Sequence, residues 1–279
     1  MLLKSSARFR KLTIPSGRRG DSSRSSLTVT IRFYEELNYF LPELKRKQPF
    51  EAPLYPGQSV KDLIESLNVP HVEVDLILIN GVSVDFSFQP APGDYISVYP
   101  VFESLNIENV TRLRPLPLRV PAFALDVHLG KLARYLRLLG FRAAYRKNWD
   151  DAELVAYGVA NSLIVLTRDR GLLKRKLLKR GMFVFSTDPE EQLREICRRL
   201  DLYSMVNPYT RCLSCGGKLR DLVYGSGEFL SVQERIPPGV LSWCREYSLC
   251  TVCGKLFWKG SHIKHLDRII RTIQDECLL

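Results

Sequence analysis

The sequence predicts a multidomain protein in which a small α+β domain precedes a parallel-sheet α/β domain and a small metal-binding module. The chain has 279 residues, 45% of them apolar, which is too long for one typical domain and apolar enough for several cores. Strand and helix patterns change near residue 121, and two Cys-x-x-Cys pairs follow close to the C-terminus. We therefore place the boundaries at 1–26 (a basic tail), 27–110, 111–121 (a linker), 122–205 and 206–279.

Charge is distributed unevenly along the chain. The formal net charge is +11, yet residues 27–110 hold twelve acidic and only five basic side chains. The positive excess lies in the tail and in residues 111–279, so we expect the C-terminal part to meet a polyanion. No uncharged apolar run is long enough to span a bilayer and no signal-peptide core is visible, so we expect a cytoplasmic protein.

Residues 1–26 are rich in Ser, Arg and Gly and hold seven basic side chains against one acid. A segment of this kind buries little apolar surface, which predicts a disordered tail. The same composition suits an organelle transit peptide, but no amphipathic helical stripe supports that alternative.

The first domain combines short strands with one helix. Ser59 is a good N-cap for a helix that runs to Leu67, and Asn80-Gly81 is a favoured two-residue hairpin turn. Alternating apolar residues predict strands at Leu27–Phe33, Pro49–Leu54, Leu76–Ile79, Val82–Val84 and Tyr95–Val101. This order resembles the β-grasp (ubiquitin-like) fold of small sulfur carriers. Because the segment lacks the carriers' Gly-Gly tail, an interaction module is favoured.

Beyond a Pro-rich linker, strands alternate with helices, which predicts a parallel sheet between two helix layers. The strands are expected at Ala122–Leu125, Phe141–Tyr145, Leu163–Thr167 and Met182–Ser186. The helices are expected at His128–Leu139, Asp151–Ala160, Leu172–Arg180 and Glu190–Leu200.

Asp126, Asp169 and Asp188 each lie just past a predicted strand. Parallel strands bring their carboxyl ends to one edge of the sheet, where ligands bind. Clustered carboxylates repel unless a cation neutralises them, and oxygen ligands beside a phosphate suit Mg²⁺ or Mn²⁺. Asp188 precedes Pro189 and predicts a helix N-cap equally well, and Asp151 is an alternative cap of the helix that follows it.

Two groups of basic residues accompany these acids. Lys131 and Arg134 lie on the first predicted helix, beside Asp126 and away from its apolar stripe, where they favour phosphate or, alternatively, face solvent or the acids. The second group favours a phosphate track because a solvated helix would mix signs. It comprises Arg168, Arg170, Lys174, Arg175, Lys176, Lys179 and Arg180, of which the first four are the candidate RNA contacts.

The cysteines predict a structural zinc site in a reducing compartment. Two knuckles supply four thiolates and leave no open coordination position. The ligands are Cys212, Cys215, Cys250 and Cys253, with Cys244 as an alternative that lacks a paired partner.

An aromatic and basic block follows the second knuckle and contains Trp258, Lys259 and His262. Such residues suit stacking on an unpaired base and contact with phosphate. A Trp in the small core of the ribbon and a surface His are an equally supported alternative.

The segment Phe123–Gly140 (FALDVHLGKLARYLRLLG) resembles the opening of the Mut-seven C-terminal RNase domain, a PIN-like nuclease joined to a zinc ribbon. The segments Asp150–Leu154 (DDAEL) and Leu166–Asp169 (LTRD) match its next two blocks. The resemblance runs from about Pro121 to His265, and family members with an N-terminal β-grasp module exist. It implies an α/β/α PIN-like domain whose Asp126, Asp151 and Asp169 hold a divalent ion, with Asp188 as a further candidate acid.

These features predict a metal-dependent endoribonuclease that hydrolyses RNA phosphodiester bonds with Mg²⁺ or Mn²⁺ and is stabilised by Zn²⁺. Two alternatives stay open. One is a catalytically silent RNA-binding or ribosome-associated protein, and the other is a β-grasp adaptor that recruits a protein partner.

Overall fold

The computed structural model describes residues 27–101, 110–113, 121–260 and 263–276. The predicted tail 1–26, most of the predicted linker and His262 lie outside the described residues. The described residues form one mixed, one parallel and one antiparallel sheet, each in its own domain. None of the helices described has the length and apolar character that a membrane crossing requires.

The first domain is a five-stranded mixed sheet, which confirms the predicted ubiquitin-like fold. Its strands are β1 (Thr28–Phe33), β2 (Phe50–Pro53), β3 (Val74–Ile79), β4 (Val82–Ser83) and β5 (Tyr95–Pro100). They lie in the order β2-β1-β5-β3-β4, with β1 parallel to β5 and the other neighbours antiparallel. Helix α1 (Val60–Ser66) begins after Ser59, whose side chain accepts the N–H of Asp62 as predicted for a cap.

The chain between β1 and β2 forms two 3₁₀ helices, Glu35–Phe40 and Glu43–Lys45, which the sequence did not predict. Turns this short carry too few residues to show a helical apolar period. The side chain of Asn38 fastens the segment by donating to the carbonyl of Phe33 at 3.0 Å. This excursion carries Tyr39 and Phe40 towards the second domain.

The second domain contains a four-stranded parallel sheet, as predicted. Its strands are β6 (Ala122–Leu125), β7 (Arg142–Tyr145), β8 (Ile164–Thr167) and β9 (Gly181–Phe183), in the order β7-β6-β8-β9. The connecting helices are α2 (Gly130–Leu138), α3 (Asp151–Ala160), α4 (Arg170–Leu173) and α5 (Pro189–Arg199). Since β7 follows β6 on one side and β8 adjoins it on the other, the strand order reverses at β6.

Gly140 closes α2 in a conformation that only glycine adopts easily, with φ of +95°. A Cβ at this position would lie closer than van der Waals contact to the carbonyl oxygen of Asn207. The turn therefore sets both the end of the helix and the entry of the chain into the third domain.

The predicted helix over Leu172–Arg180 is wrong, because α4 ends at Leu173 after a single turn. Basic side chains follow at spacings of three and four, where like charges destabilise a helix. Lys174 instead extends to the first domain, and its Nζ donates to the carbonyl of Glu65 at 2.9 Å.

The third domain is a three-stranded antiparallel sheet. The first cysteine knuckle precedes its first strand, and the second knuckle connects its second and third strands. Its strands are β10 (Leu219–Leu222), β11 (Tyr247–Cys250) and β12 (Leu256–Trp258), with α6 (Gly227–Val232) and α7 (Pro238–Leu241) inserted after β10. Helix α8 (Ile263–Glu276) follows, and the sequence grouped it with this ribbon. Its apolar face, which includes Ile269 and Ile273, packs instead into the α2–α5 side of the second domain.

The first and second domains share one continuous apolar cluster. The ring of Phe40 lies 5.7 Å from that of Phe183 and 5.2 Å from that of Phe185, measured between centroids. The guanidinium of Arg170 lies over the rings of Phe40 and Phe183, at 5.3 and 5.4 Å. The β-grasp domain is thus packed tightly against its neighbour rather than tethered to it.

A buried ion pair crosses the same interface. Glu73 of the first domain accepts from Arg199 Nη2 of α5 at 2.7 Å, and its other oxygen accepts the backbone N–H of Phe183 in the edge strand β9. The two side chains are 1% and 7% exposed. Burial lowers the pKa of Arg199, but the carboxylates of Glu73, Glu36 and Glu195 outweigh burial and raise that pKa.

We predict that Glu73→Ala lowers the free energy of unfolding by about 3 kcal/mol. The substitution removes the closest carboxylate from Arg199 and the acceptor that Glu73 offers to the backbone N–H of Phe183. The value lies at the low end for a broken buried pair since Glu195 stays 3.4 Å from Arg199. Urea unfolding followed by circular dichroism measures the change.

Glu228→Ala is the matched control, because its pair with Arg220 is exposed and its loss should leave the midpoint unchanged. Equal midpoints in the two variants would contradict the assigned role of the interface.

Candidate active site and metal centre

Asp126 and Asp169 follow two strands that are direct neighbours in the sheet. β6 and β8 pair in parallel with Leu125 opposite Leu166, so both aspartates lie at the same edge, where the strand order reverses. Asp126 is buried, with 8% of its surface exposed, whereas Asp169 is exposed. The structure thereby brings together two of the predicted acids at the position where open α/β sheets bind ligands.

The fully buried hydroxyl of Thr167 links these two acids. Its Oγ1 donates to Asp126 Oδ2 at 2.6 Å and accepts the backbone N–H of Asp169 at 3.0 Å. One hydroxyl therefore fixes the carboxylate of one strand end and the backbone of the other. The sequence places Thr167 within the LTRD block but gave no signal of this bridging role.

The other oxygen of Asp126 faces His128. Asp126 Oδ1 accepts from the backbone N–H of His128 at 3.1 Å and lies 3.0 Å from its Nδ1. The His128 side chain is 80% exposed, so an imidazole stands at the open side of the buried carboxylate. Gly130 follows, and a Cβ there would lie 2.8 Å from the hydroxyl of Tyr145, which donates to the carbonyl of Val127.

Asp151 occupies the first turn of α3 rather than its cap. Asp150 is the cap and forms a capping box with Glu153, through bonds of 2.8 and 3.0 Å. Asp151 Oδ2 instead pairs with Arg175 Nη2 at 3.2 Å, and both side chains are about half exposed. An exposed pair of this kind contributes only about 0–1 kcal/mol, so another cation can replace Arg175 at low cost.

Asp188 serves as the N-cap of α5. Its Oδ1 accepts the N–H groups of Glu190 at 2.9 Å and Glu191 at 3.1 Å, and Pro189 holds the first helical position. Of its two predicted roles, the cap is the one visible in the structure.

The carboxylate oxygens of Asp126, Asp151 and Asp169 do not form a compact group of ligand atoms. Among the described residues, the four paired cysteines are the only group of three or more His, Cys, Asp or Glu whose ligand atoms lie within 4.8 Å of one another. Thr167 links the carboxylate of Asp126 to the backbone of Asp169, and Asp151 pairs with Arg175. Their oxygen donors suit a hard divalent ion that retains water ligands, which needs few protein ligands.

The second basic group is largely used within the protein. Arg168 Nη1 donates to carbonyls that follow β9, including that of Phe185 at 2.6 Å, and Arg170 stacks on two rings. Lys174 bonds to the first domain and Arg175 to Asp151. Lys131 and Arg134 differ, because both are exposed and form no ion pair within the described part of the chain.

The four predicted cysteines converge at the ribbon. The sulfurs of Cys212 and Cys253 lie 3.7 Å apart and those of Cys215 and Cys250 lie 3.4 Å apart. Four thiolates around a tetrahedral metal at about 2.3 Å require sulfur separations of this size. Backbone N–H groups of the knuckles point at the sulfurs, as from Val252 to Cys250 at 3.4 Å.

Proton affinity differs among these thiols. Burial raises the pKa of the Cys250 thiol, but N–H groups of Cys253 and Val252 outweigh burial and lower that pKa to about 7. Burial raises the pKa of Cys215 to about 12. Metal binding requires thiolates and would therefore displace the protons of these thiols.

Arg137 joins the ribbon to the second domain, a role that the sequence did not reveal. It is 3% exposed on α2, where its Nε donates to Ala143 and its Nη1 donates to the carbonyls of Leu213 and Ser214 in the first knuckle, at 3.2 and 2.8 Å. In the sequence, Arg137 cannot be distinguished from an arginine on the exposed face of a helix, because the knuckle that it contacts lies far along the chain.

The remaining described cysteines belong to apolar cores. Cys244 is buried in the ribbon core, and its Sγ lies 3.3 Å from the carbonyl of Glu246. It is absent from the four-sulfur group, which settles the alternative left open by the spacing. Cys197 is fully buried, and burial raises its pKa to about 12, which makes it unreactive.

The fold and site define a class of proteins in which a parallel α/β domain with acids at its switch point is joined to a cysteine ribbon and preceded by a ubiquitin-like domain. Residues 121–270 match the model of the Mut7-C RNAse domain, and residues 26–106 match that of the Mut7-C ubiquitin domain. The chain belongs to the Mut7-C RNAse domain family, which confirms the resemblance seen in the sequence. Searches of curated proteins and of solved structures return no match.

We predict that Cys212→Ser loses the bound metal and the folded ribbon, because three thiolates cannot close the tetrahedral site. Elemental analysis of purified protein gives the metal content, and proteolysis within residues 206–260 reports on folding. Cys244→Ala is the control, since it removes a buried thiol without touching the four-sulfur group. Retention of metal by Cys212→Ser would refute the site.

Proposed function

We propose that this protein is a metal-dependent ribonuclease that hydrolyses RNA phosphodiester bonds with Mg²⁺ or Mn²⁺ at Asp126, Asp151 and Asp169. The observation that carries the proposal is the Thr167 bridge between Asp126 and Asp169 at the switch point of an RNase-family domain. A divalent ion at this position supplies an activated water and offsets the charge that develops on the scissile phosphate.

The residues of the chain orient the reacting groups. Thr167 and His128 hold both oxygens of Asp126, so its orientation is set before the ion binds. Asp169 Oδ1 accepts the N–H of Gly171 at 2.7 Å, which leaves Oδ2 available to an ion. Asp151 contributes its carboxylate when the exposed Arg175 is displaced, and the released guanidinium is then available to a phosphate.

The exposed cations of α2 are assigned to substrate. Lys131 and Arg134 lie within the first two turns that follow Asp126, close enough to contact phosphates on either side of the cleaved bond. Because Asp169 and His128 are open to solvent, an internal phosphodiester can reach them without a free chain end. We therefore propose an endonucleolytic mode.

Zinc is the ion that best fits the ribbon, as its four thiolates leave no open position for catalysis. Its role is structural, and the buried cation of Arg137 offsets part of the negative charge of the thiolate cluster. The six cysteines within the described residues form no disulfide, which supports a reducing compartment such as the cytoplasm.

The β-grasp domain packs against the second domain of the same chain. It covers β9 and the α4 segment, and so supports the strand end that precedes Asp188 and the turn that follows Asp169. A protein partner would bind the surface of this domain that the interface leaves open.

We predict that Asp126→Asn lowers the rate of cleavage at least about 100-fold, since it removes the negative charge that an ion requires while keeping the shape. Labelled RNA incubated with Mn²⁺ and resolved by length measures the rate and shows whether internal bonds are cut. Asp188→Asn is the matched control, because asparagine caps a helix equally well and should preserve cleavage.

The outcomes separate the alternatives. Full activity in Asp126→Asn would refute the site, and loss in Asp188→Asn would add Asp188 to the ion's ligands. RNA binding without cleavage by the unmodified protein would favour the catalytically silent RNA-binding protein.

We also predict that Thr167→Val lowers cleavage about 10- to 100-fold while RNA binding is retained, because Asp126 Oδ2 and the N–H of Asp169 lose their shared partner. Thr167→Ser keeps the hydroxyl and should restore most of the activity. A positioning role requires this rescue. If serine and valine impair cleavage equally, the effect comes from packing and the bridge has no catalytic importance.

A further inference from the structure

A groove of about 920 Å³ runs between the ribbon and the start of the second domain. Residues of the ribbon strands β10–β12 and the first residues of α8 line it. Arg134 of α2 also lines it, from the second domain. The volume lies near the upper limit of about 1,000 Å³ for small-molecule sites, which indicates room for an extended ligand.

The groove is predominantly basic. Its lining contains five cations against two acids, Asp221 and Glu246. The cations are Arg134, Arg211, Arg245, Lys255 and Lys259. Glu246 forms an exposed pair with Lys259 at 2.7 Å, which is weak and easily exchanged for a phosphate. An anionic ligand therefore complements the groove.

Aromatic rings lie among these cations. Tyr224 is 44% exposed, and the guanidinium of Arg245 lies 4.6 Å from its ring centroid. Phe257 and Trp258 are half-buried and line the same groove. Trp258 also contacts the ribbon core, so its two predicted roles, core packing and ligand contact, are compatible. Cations alternating with partly exposed rings are the pattern that binds unpaired nucleotides.

We propose that this groove binds a single-stranded segment of the RNA substrate and leads it to Asp126. The inference rests on the proposed ribonuclease function and adds the substrate class. Arg134 provides the connection, because it lines the groove and lies on the helix that starts beside Asp126. A strand bound in the groove thus continues towards the acids along the exposed face of α2.

An unpaired strand fits better than a duplex. The bases of a duplex are stacked on each other and cannot stack on Tyr224 or Trp258, whereas unpaired bases can. An acidic peptide would match the charge but would leave the aromatic rings without a stacking partner.

The test measures binding separately from cleavage. In full-length protein that carries Asp126→Asn, without added Mg²⁺ or Mn²⁺, fluorescence anisotropy gives the Kd for an unstructured RNA oligonucleotide and for a duplex of equal length. We expect Arg134→Glu and Arg245→Glu to weaken single-strand binding and to reduce the slope of log Kd against log salt by about 0.7 for each lost phosphate contact. Tyr224→Leu keeps an apolar side chain against Phe229 and should weaken binding about 5- to 100-fold through lost stacking.

Arg271→Glu is the matched control, because it reverses an exposed charge on α8 outside the groove lining. Metal content and circular dichroism confirm that each variant is folded. Affinity that falls equally in the control and the groove variants, or in none of them, would overturn the groove assignment. Duplex binding as tight as single-strand binding would overturn the substrate class. If unmodified protein binds single strands through the groove but cleaves no RNA, the proposed ribonuclease function fails while the groove stands.

Discussion

The hydroxyl of Thr167 is the interaction on which the candidate site depends. It joins two strand ends that parallel pairing alone would leave merely adjacent, because it donates to the carboxylate of Asp126 and accepts from the backbone of Asp169. A hydroxyl can do both, whereas an amide hydrogen or a carboxylate cannot. With Thr167 fully buried, neither bond competes with solvent, so the carboxylate of Asp126 and the backbone of Asp169 are held in place before any ligand arrives.

Buried arginines have a different function from the exposed ones. Arg137 ties the knuckle carbonyls to α2, and Arg199 pairs with Glu73 across the domain interface. Arg168 is exposed, yet it too is used within the protein, because it binds the carbonyls that follow β9. A planar group with several donors can satisfy carbonyls from separate segments at once, which lysine cannot do with the same geometry. The net charge of +11 therefore overstates the cations available to a polyanionic ligand.

The three domains form one arrangement around the acids. The β-grasp domain covers the edge strand β9 through Glu73, and the ribbon is fastened to α2 through Arg137. Helix α8 returns the chain from the ribbon to the second domain, where it packs beside α5. This arrangement places the basic groove of the ribbon next to the helix that begins at the candidate site, so the groove and the site share α2.

The sequence by itself determined the order of the domains, most strands of both larger sheets, the four cysteine ligands and the strand-end acids. These follow from local patterns, since periodicity, capping residues and knuckle spacing act within a few residues. Only the tertiary structure decided which polar groups meet over long separations. It showed that Arg175 pairs with Asp151, that Arg137 binds the first knuckle, and that the stretch after Leu173 leaves the helix so that Lys174 can reach Glu65. Contacts of this kind join residues far apart in the chain, and no local pattern encodes them.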